Sequence, residues 1–77
     1  MNTFIKFTNI TSSAGDFPSK LVSIYAIESV QPYPSDTGKR TIVNLRDYNR
    51  YFITDEPYEE VEKRLLEKEN ILNEEQL

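Results

Sequence analysis

The chain of 77 residues contains no cysteine, no histidine and no tryptophan, and only two glycines. Without cysteine it can form neither a disulfide nor a thiolate metal site, and without histidine it lacks the commonest metal ligand and general base. It also contains no apolar run long enough for a signal peptide or a membrane span. These absences favour a soluble, cytoplasmic protein that is not an enzyme and does not associate with a membrane.

The scarcity of glycine weighs against a nucleotide site. Gly38-Lys39-Arg40 resembles the end of a phosphate-binding loop, but the earlier glycine and the following helix are missing. Asp36, Asp47 and Asp55 do not have the spacing of a calcium loop. Carboxylates are plentiful, yet their spacing marks no pair for acid–base catalysis. We therefore expect no catalytic residue, no cofactor and no metal.

Charge is distributed unevenly along the chain, whose net charge is −4. Residues 1–54 hold six basic and four acidic side chains, whereas residues 55–77 hold three basic and nine acidic ones. An acidic segment argues against nucleic acid as a partner, because phosphates require clustered lysine and arginine. A solvated helix face explains the acids more simply than mimicry of nucleic acid does.

The stretch from residue 41 to residue 66 organises the chain, and its first half reads as a β-hairpin. Thr41–Leu45 alternates branched and polar residues, and Tyr51–Thr54 is rich in aromatic and β-branched residues. The turn between them centres either on Asp47-Tyr48 or on Tyr48-Asn49, and both alternatives leave the side-chain faces unchanged. One face carries Val43, Leu45 and Phe52, and the other carries Ile42, Tyr51 and Ile53 with Asn44 and Arg46.

The second half of this stretch predicts an amphipathic helix. Pro57 suits the first helical position, and the preceding acids suit the positive end of the helix dipole. Tyr58, Val61 and Leu65 share one helical face, so Val61 and Leu65 should be buried against the sheet. Glu60 and Arg64 are spaced as an ion pair one turn apart. We expect a helix of about 13 residues, followed by a frayed tail over residues 69–77.

The first half of the chain predicts further strands. Thr3–Ile10 reads as a strand, residues 11–18 as a loop rich in Ser, Gly, Asp and Pro, and Lys20–Ser23 as a short strand. Ile24–Ala26 fits either a helical turn or the start of the next strand, and we favour the turn. The predicted fold is a single α+β domain over residues 1–77, in which an antiparallel sheet of four or five strands precedes one C-terminal helix.

The order of these signals resembles the small FlbD-like proteins, which occur among bacterial flagellar and swarming-motility genes and in bacteriophages. The resemblance covers about residues 3–66. It is carried by apolar positions and a turn, in the segments Lys20-Leu21-Val22-Ser23, Ile27, Val30, Thr41-Ile42-Val43-Asn44-Leu45-Arg46-Asp47, Phe52-Ile53-Thr54-Asp55-Glu56 and Glu59-Glu60-Val61. It implies a small bacterial or phage protein and supplies no catalytic residue.

Three function classes remain from the sequence. The first, which we favour, is a small non-catalytic interaction module that self-associates, preferably as a dimer, and also binds an unidentified protein. The second is a regulator that binds nucleic acid or a nucleotide through a basic hairpin, and the third is a hydrolase. One helix covers only one face of the sheet, so the open face should be the contact. The candidate interaction residues are Ile42, Tyr51, Ile53, Lys39, Arg40, Arg46 and Arg50.

Overall fold

The computed structural model describes residues 3–47 and 50–76, with side chains described as far as Lys68. It confirms the α+β class, since an antiparallel sheet of five strands precedes a single C-terminal helix. The elements are β1 (Phe4–Ser12), β2 (Gly15–Ser23), a 3-10 turn (Ile24–Ala26), β3 (Ile27–Pro32), a second 3-10 turn (Pro34–Asp36), β4 (Thr41–Leu45), β5 (Tyr51–Thr54) and α1 (Tyr58–Gln76).

The strands lie in the order β2-β1-β5-β4-β3, so β2 and β3 are the two edges of the sheet. The chain nevertheless passes from β2 to β3 through three residues, Ile24–Ala26. In a flat sheet these edges would lie about 19 Å apart, given a spacing of ~4.8 Å between neighbouring strands. A three-residue link reaches at most about 14 Å. The sheet must therefore curl, so that its edges approach each other where the first 3-10 turn joins them.

The β1–β2 hairpin corrects the sequence analysis, which placed a loop over residues 11–18. β1 continues to Ser12 and β2 begins at Gly15, with register pairs from Phe4↔Ser23 to Ser12↔Gly15. Gly15 has φ +126°, a conformation that glycine adopts without a Cβ penalty, and so permits the tight connection. Pro18 is tolerated because β2 is an edge strand, where a missing N–H costs no ladder bond if it faces outward.

The remaining predictions on this part of the chain are confirmed or refined. Ile24–Ala26 is indeed a 3-10 turn, and the Ser23 side chain accepts a hydrogen bond from the Tyr25 N–H at its start. β4 and β5 pair with Ile42 opposite Ile53, which is the register of a turn centred on Asp47-Tyr48. Tyr48 and Asn49 themselves lie outside the described residues.

The core lies on the concave side of the curled sheet. Phe7 and Phe52 meet edge to face, with ring centroids 5.3 Å apart. Val61 from α1 is fully buried against them, and Leu65 packs at the margin as a half-buried residue. The buried apolar residues come from every strand and from the helix: Ile5, Phe7, Ile10, Val22, Ile27, Val43, Phe52 and Val61. The prediction that Val61 faces the sheet is confirmed.

A polar network replaces the sheet where β1 and β5 separate. These strands pair only at Ile10↔Thr54 and Thr11↔Ile53. Beyond that point the Thr8 N–H donates to the Glu56 carboxylate at 2.9 Å, and the Thr54 hydroxyl donates to the Thr8 carbonyl at 2.7 Å. Side chains thus take over the backbone bonds that a longer β5 would have made.

Arg64 of α1 completes this network. Its guanidinium donates to the Glu56 carboxylate and to the Lys6 carbonyl, and it lies over the Phe7 ring. The expected pairing of Arg64 with Glu60 is therefore replaced by a tertiary ion pair with Glu56. The two side chains are 29 % and 15 % exposed, so the ion pair is partly sheltered from water. Arg64 and Glu56 together fasten the helix to β1.

The helix is longer than the sequence analysis expected. It runs from Tyr58 to Gln76, 19 residues, and so includes backbone that was assigned to a frayed tail. Fraying itself is untested and stays a prediction, and Leu77 lies outside the described residues. Among the described residues, no helix combines the length and apolar character needed to cross a bilayer.

The turn before β4 offers a stabilising substitution. Thr37 adopts a left-handed conformation with φ 57° and ψ 36°, and Gly38 follows with φ 84°. The left-handed region is unfavourable for β-branched residues such as threonine. Asparagine tolerates it and is common before glycine in such turns. We expect Thr37→Asn to raise the free energy of unfolding by about 0.5–1 kcal/mol, measured by urea denaturation. A matched control is Thr11→Asn in β1, which should not stabilise the protein.

Candidate interaction surface

The convex side of the sheet carries the residues that the sequence analysis placed on its open face. Ile42 and Ile53 are direct cross-strand neighbours on β4 and β5, and both are half-buried. Tyr51, two residues before Ile53, is 58 % exposed. The opposite set, Val43 and Phe52, is buried in the core. The helix therefore covers the concave side, and the three predicted contact residues lie together on the uncovered side.

Polar side chains surround this apolar centre. The Asn44 side-chain amide donates to the Ser29 hydroxyl at 3.1 Å and to the Gln31 side-chain carbonyl at 3.4 Å. These bonds hold a polar border along β3 and β4. On the other side, a shallow depression of about 310 Å³ lies between the β1–β2 hairpin and β5, lined by Thr11, Ser12, Ser13, Arg50, Tyr51 and Ile53. The surface thus has an apolar centre, a polar border and one concave edge.

The four basic residues of the hairpin do not form one cluster. Lys39 and Arg40 precede β4, whereas Arg46 and Arg50 lie at its other end. Six residues of extended chain separate Arg40 from Arg46, which corresponds to about 20 Å. A continuous basic groove of the kind that tracks a phosphate backbone needs closer spacing.

Arg40 is also engaged within the fold. Its Nε donates to the Asp36 carboxylate at 2.6 Å, and its guanidinium lies over the Tyr33 ring, 4.1 Å from the centroid. The hydrogen bond from Arg40 lowers the pKa of the Asp36 carboxyl. Because Arg40 is already neutralised by Asp36, it contributes little positive potential to a partner.

Comparison of this chain with known proteins finds no relative from which a function could be inferred. No family model, no curated protein and no solved structure matches this chain. The candidate surface is therefore argued from its own geometry. Among the described residues, no three acidic side chains lie close enough together to hold a metal ion.

Sequence reasoning missed a second exposed apolar group, on the β1–β2 half of the convex side. Phe4 is 50 % exposed and Leu21 is 66 % exposed, and they occupy diagonal positions across the two strands. Both residues lay in predicted strands, but the pairing of those two strands, which brings the residues close together, was not predicted. With the full hairpin, Leu21 pairs with Lys6 on the outward face.

Proposed function

We propose that this protein is a small non-catalytic interaction module that self-associates as a dimer through the convex face of β4 and β5. The observation that supports this is the Ile42–Ile53 pair with Tyr51 beside it, on the side of the sheet that α1 leaves uncovered. Branched apolar side chains paired across neighbouring strands of a soluble domain typically pack against another surface.

A second copy of the same face is the occupant that we favour. A two-fold axis near the Ile42–Ile53 pair would bring identical apolar centres together and leave the polar borders at the rim, which is the usual anatomy of a stable interface. The exposed Tyr51 would enter the depression of the partner beside Arg50. Tyrosine suits this role because its ring is apolar and its hydroxyl still finds a polar neighbour.

The biological setting is part of the same proposal. The pattern over residues 3–66 resembles the small FlbD-like proteins, so we propose a bacterial or phage protein that acts through contacts rather than turnover. It would bind one further protein in addition to itself. Copurification from the native host under gentle salt would identify that protein. Turnover that survives purification and is lost on changing one carboxylate would overturn the non-catalytic assignment.

Self-association is tested by changing the centre of the face. Ile53→Lys should convert a dimer into a monomer, because it places a charge on each side of the two-fold contact. We expect the dissociation constant of the dimer to rise at least about 100-fold. Light scattering across a dilution series measures this, and circular dichroism should show an unchanged helix signal. Ile42→Lys should behave in the same way.

Leu21→Lys is the matched control for Ile53→Lys. It introduces the same charge on the convex side, but on β2, at a side chain that is already 66 % exposed. We expect it to leave the dimer intact. A wild-type protein that stays monomeric throughout the dilution series would refute the self-association proposal, and unfolding of both isoleucine variants would show that this face belongs to the core.

A further inference from the structure

The free edge of β3 presents backbone groups that the fold itself leaves open. In the β3–β4 ladder the Tyr33 N–H donates to the Arg40 carbonyl, so Tyr33, Gln31 and Ser29 point their backbone groups toward β4. Alternation along an antiparallel strand then directs the N–H and C=O of Val30 away from the sheet. Within the described ranges, β3 pairs only with β4. The backbone of Val30 can therefore both donate a hydrogen bond to an added strand and accept one from it.

This edge borders a depression of about 400 Å³ between β3 and α1, with a lining that is partly apolar and partly polar. Val30 and Leu65 are both half-buried and both line it, together with Ile24 and Tyr25 of the first 3-10 turn. The depression is lined by one acidic and one basic side chain among smaller and apolar ones: Ile24, Tyr25, Ile27, Glu28, Ser29, Val30, Arg46 and Leu65. A groove between a strand edge and a helix is a geometry that accepts an extended peptide as an additional strand.

The ladder on this edge is short and closed at both ends. Pro32 has no N–H, so it cannot donate to an added strand. At the other end the chain leaves the strand for the 3-10 turn, where the Ile27 N–H donates to the Ile24 carbonyl and the Ala26 carbonyl accepts from the Arg46 N–H. An added strand therefore finds no ladder partner beyond Ile27. Such a closed end suits the terminus of a chain better than its middle.

Arg46 stands at this closed end. Its Nε donates to the Tyr25 carbonyl at 2.8 Å, which fixes the guanidinium at the border of the depression. A guanidinium retains further N–H donors when one is occupied, and two of them can receive a carboxylate side by side. A peptide running antiparallel to β3 would bring its carboxyl terminus to this position.

We propose that the groove between β3 and α1 binds the carboxyl-terminal residues of a partner protein, as an extended strand antiparallel to β3. The residue that pairs with Val30 would be the third from the end, because the last residue then lies opposite Glu28, just before the ladder ends at Ile27. Its side chain and that of the last residue point the same way, into the depression between Ile27 and Leu65. The terminal carboxylate pairs with Arg46. The partner therefore ends in two apolar residues separated by any residue.

A second copy of this sheet fits the groove less well than a chain terminus does. The other edge strand, β2, carries a proline, Pro18, and two charged residues, Asp16 and Lys20. Charged residues and a proline on an edge oppose strand pairing. This surface is also distinct from the convex face around Ile42 and Ile53, so the proposal holds whether or not the protein dimerises.

The test is a selection with random seven-residue peptides displayed with a free carboxyl end, repeated with the same peptides followed by a fixed Gly-Ser tail. The free-end library should yield peptides with an apolar residue at the last position and at the third from last, and the tailed library should not. An enriched peptide, synthesised as the free acid and as the amide, should bind about tenfold more weakly as the amide, because the amide has lost its charge-assisted bonds.

Two variants locate the site on the protein. Arg46→Ala should lower the affinity for the free-acid peptide about tenfold and leave the affinity for the amide peptide unchanged. Lys6→Ala, which removes a cation from the convex side of β1, should change neither affinity. The Val30 amide should exchange its hydrogen more slowly when peptide is bound. A free-end library without enrichment, or a peptide that binds equally well as its amide, would refute the proposal.

Discussion

Val61→Asp is expected to leave the protein largely unfolded in buffer. Val61 is the only described helix residue with no exposed surface, and it packs on the concave side of the sheet beside Phe7 and Phe52. An aspartate there would bury a carboxylate without a partner, at a cost of several kcal/mol. A domain of this size has a total stability of about 4–12 kcal/mol. Far-ultraviolet circular dichroism on heating should therefore show a weak transition or none.

Leu66→Asp is the control for this change. Leu66 lies five residues further along the same helix and is 53 % exposed, so the same carboxylate would stay in water. We expect its melting temperature to remain close to that of the wild type. If Val61→Asp melted within a few degrees of Leu66→Asp, the helix could not be packed on the sheet through Val61.

Removing the Glu56 carboxylate is the second change with a large expected effect. In Glu56→Ala the Thr8 N–H loses its acceptor and Arg64 loses its ion-pair partner, while Arg64 remains partly buried over Phe7. Leaving such groups without partners costs more than the net strength of the bonds that are lost. We expect the free energy of unfolding to fall by about 2–3 kcal/mol, measured by urea denaturation.

The pairing itself is measured by a double-mutant cycle with Arg64→Met. Methionine keeps the packing of the side-chain stem and removes the charge, so the two single changes should be non-additive by about 1–2 kcal/mol. Glu60→Ala, on the exposed face of the same helix, should cost less than about 0.5 kcal/mol. Additive effects of Glu56→Ala and Arg64→Met would show that the ion pair does not fasten the helix to β1.

The parts of the fold that were predictable from sequence are those in which buried residues recur with the regular spacing of a strand or a helix. Val43 and Phe52 alternate with Ile42 and Ile53, and the structure places the first pair inside and the second pair outside. Val61 was found in the same way from its helical spacing. In these strands and in the helix only one face contacts the core, so the spacing of apolar residues in the sequence matches the buried face in the structure.

The parts that sequence reasoning missed depend on tertiary contacts. β2 is almost entirely exposed along Gly15–Leu21, so no burial pattern marks it, and only its pairing with β1 makes it a strand. Arg64 was assigned to Glu60 because i, i+4 spacing is visible in a sequence, whereas a bond to Lys6 across 58 residues is not.

The polar network between β1 and α1 has a consequence for the order of folding. The β1–β2 hairpin and the β3–β4–β5 meander are each built from neighbours in sequence, so each can form early. The β1–β5 ladder pairs that join them span 42 and 44 residues, and the polar contacts from Thr8 to Thr54 and Glu56 and from Lys6 to Arg64 span 46 to 58. Closing such loops is slow, because chain entropy is lost before any contact compensates for it. On the ribosome, the sheet would therefore close only after the first turns of the helix had left the exit tunnel.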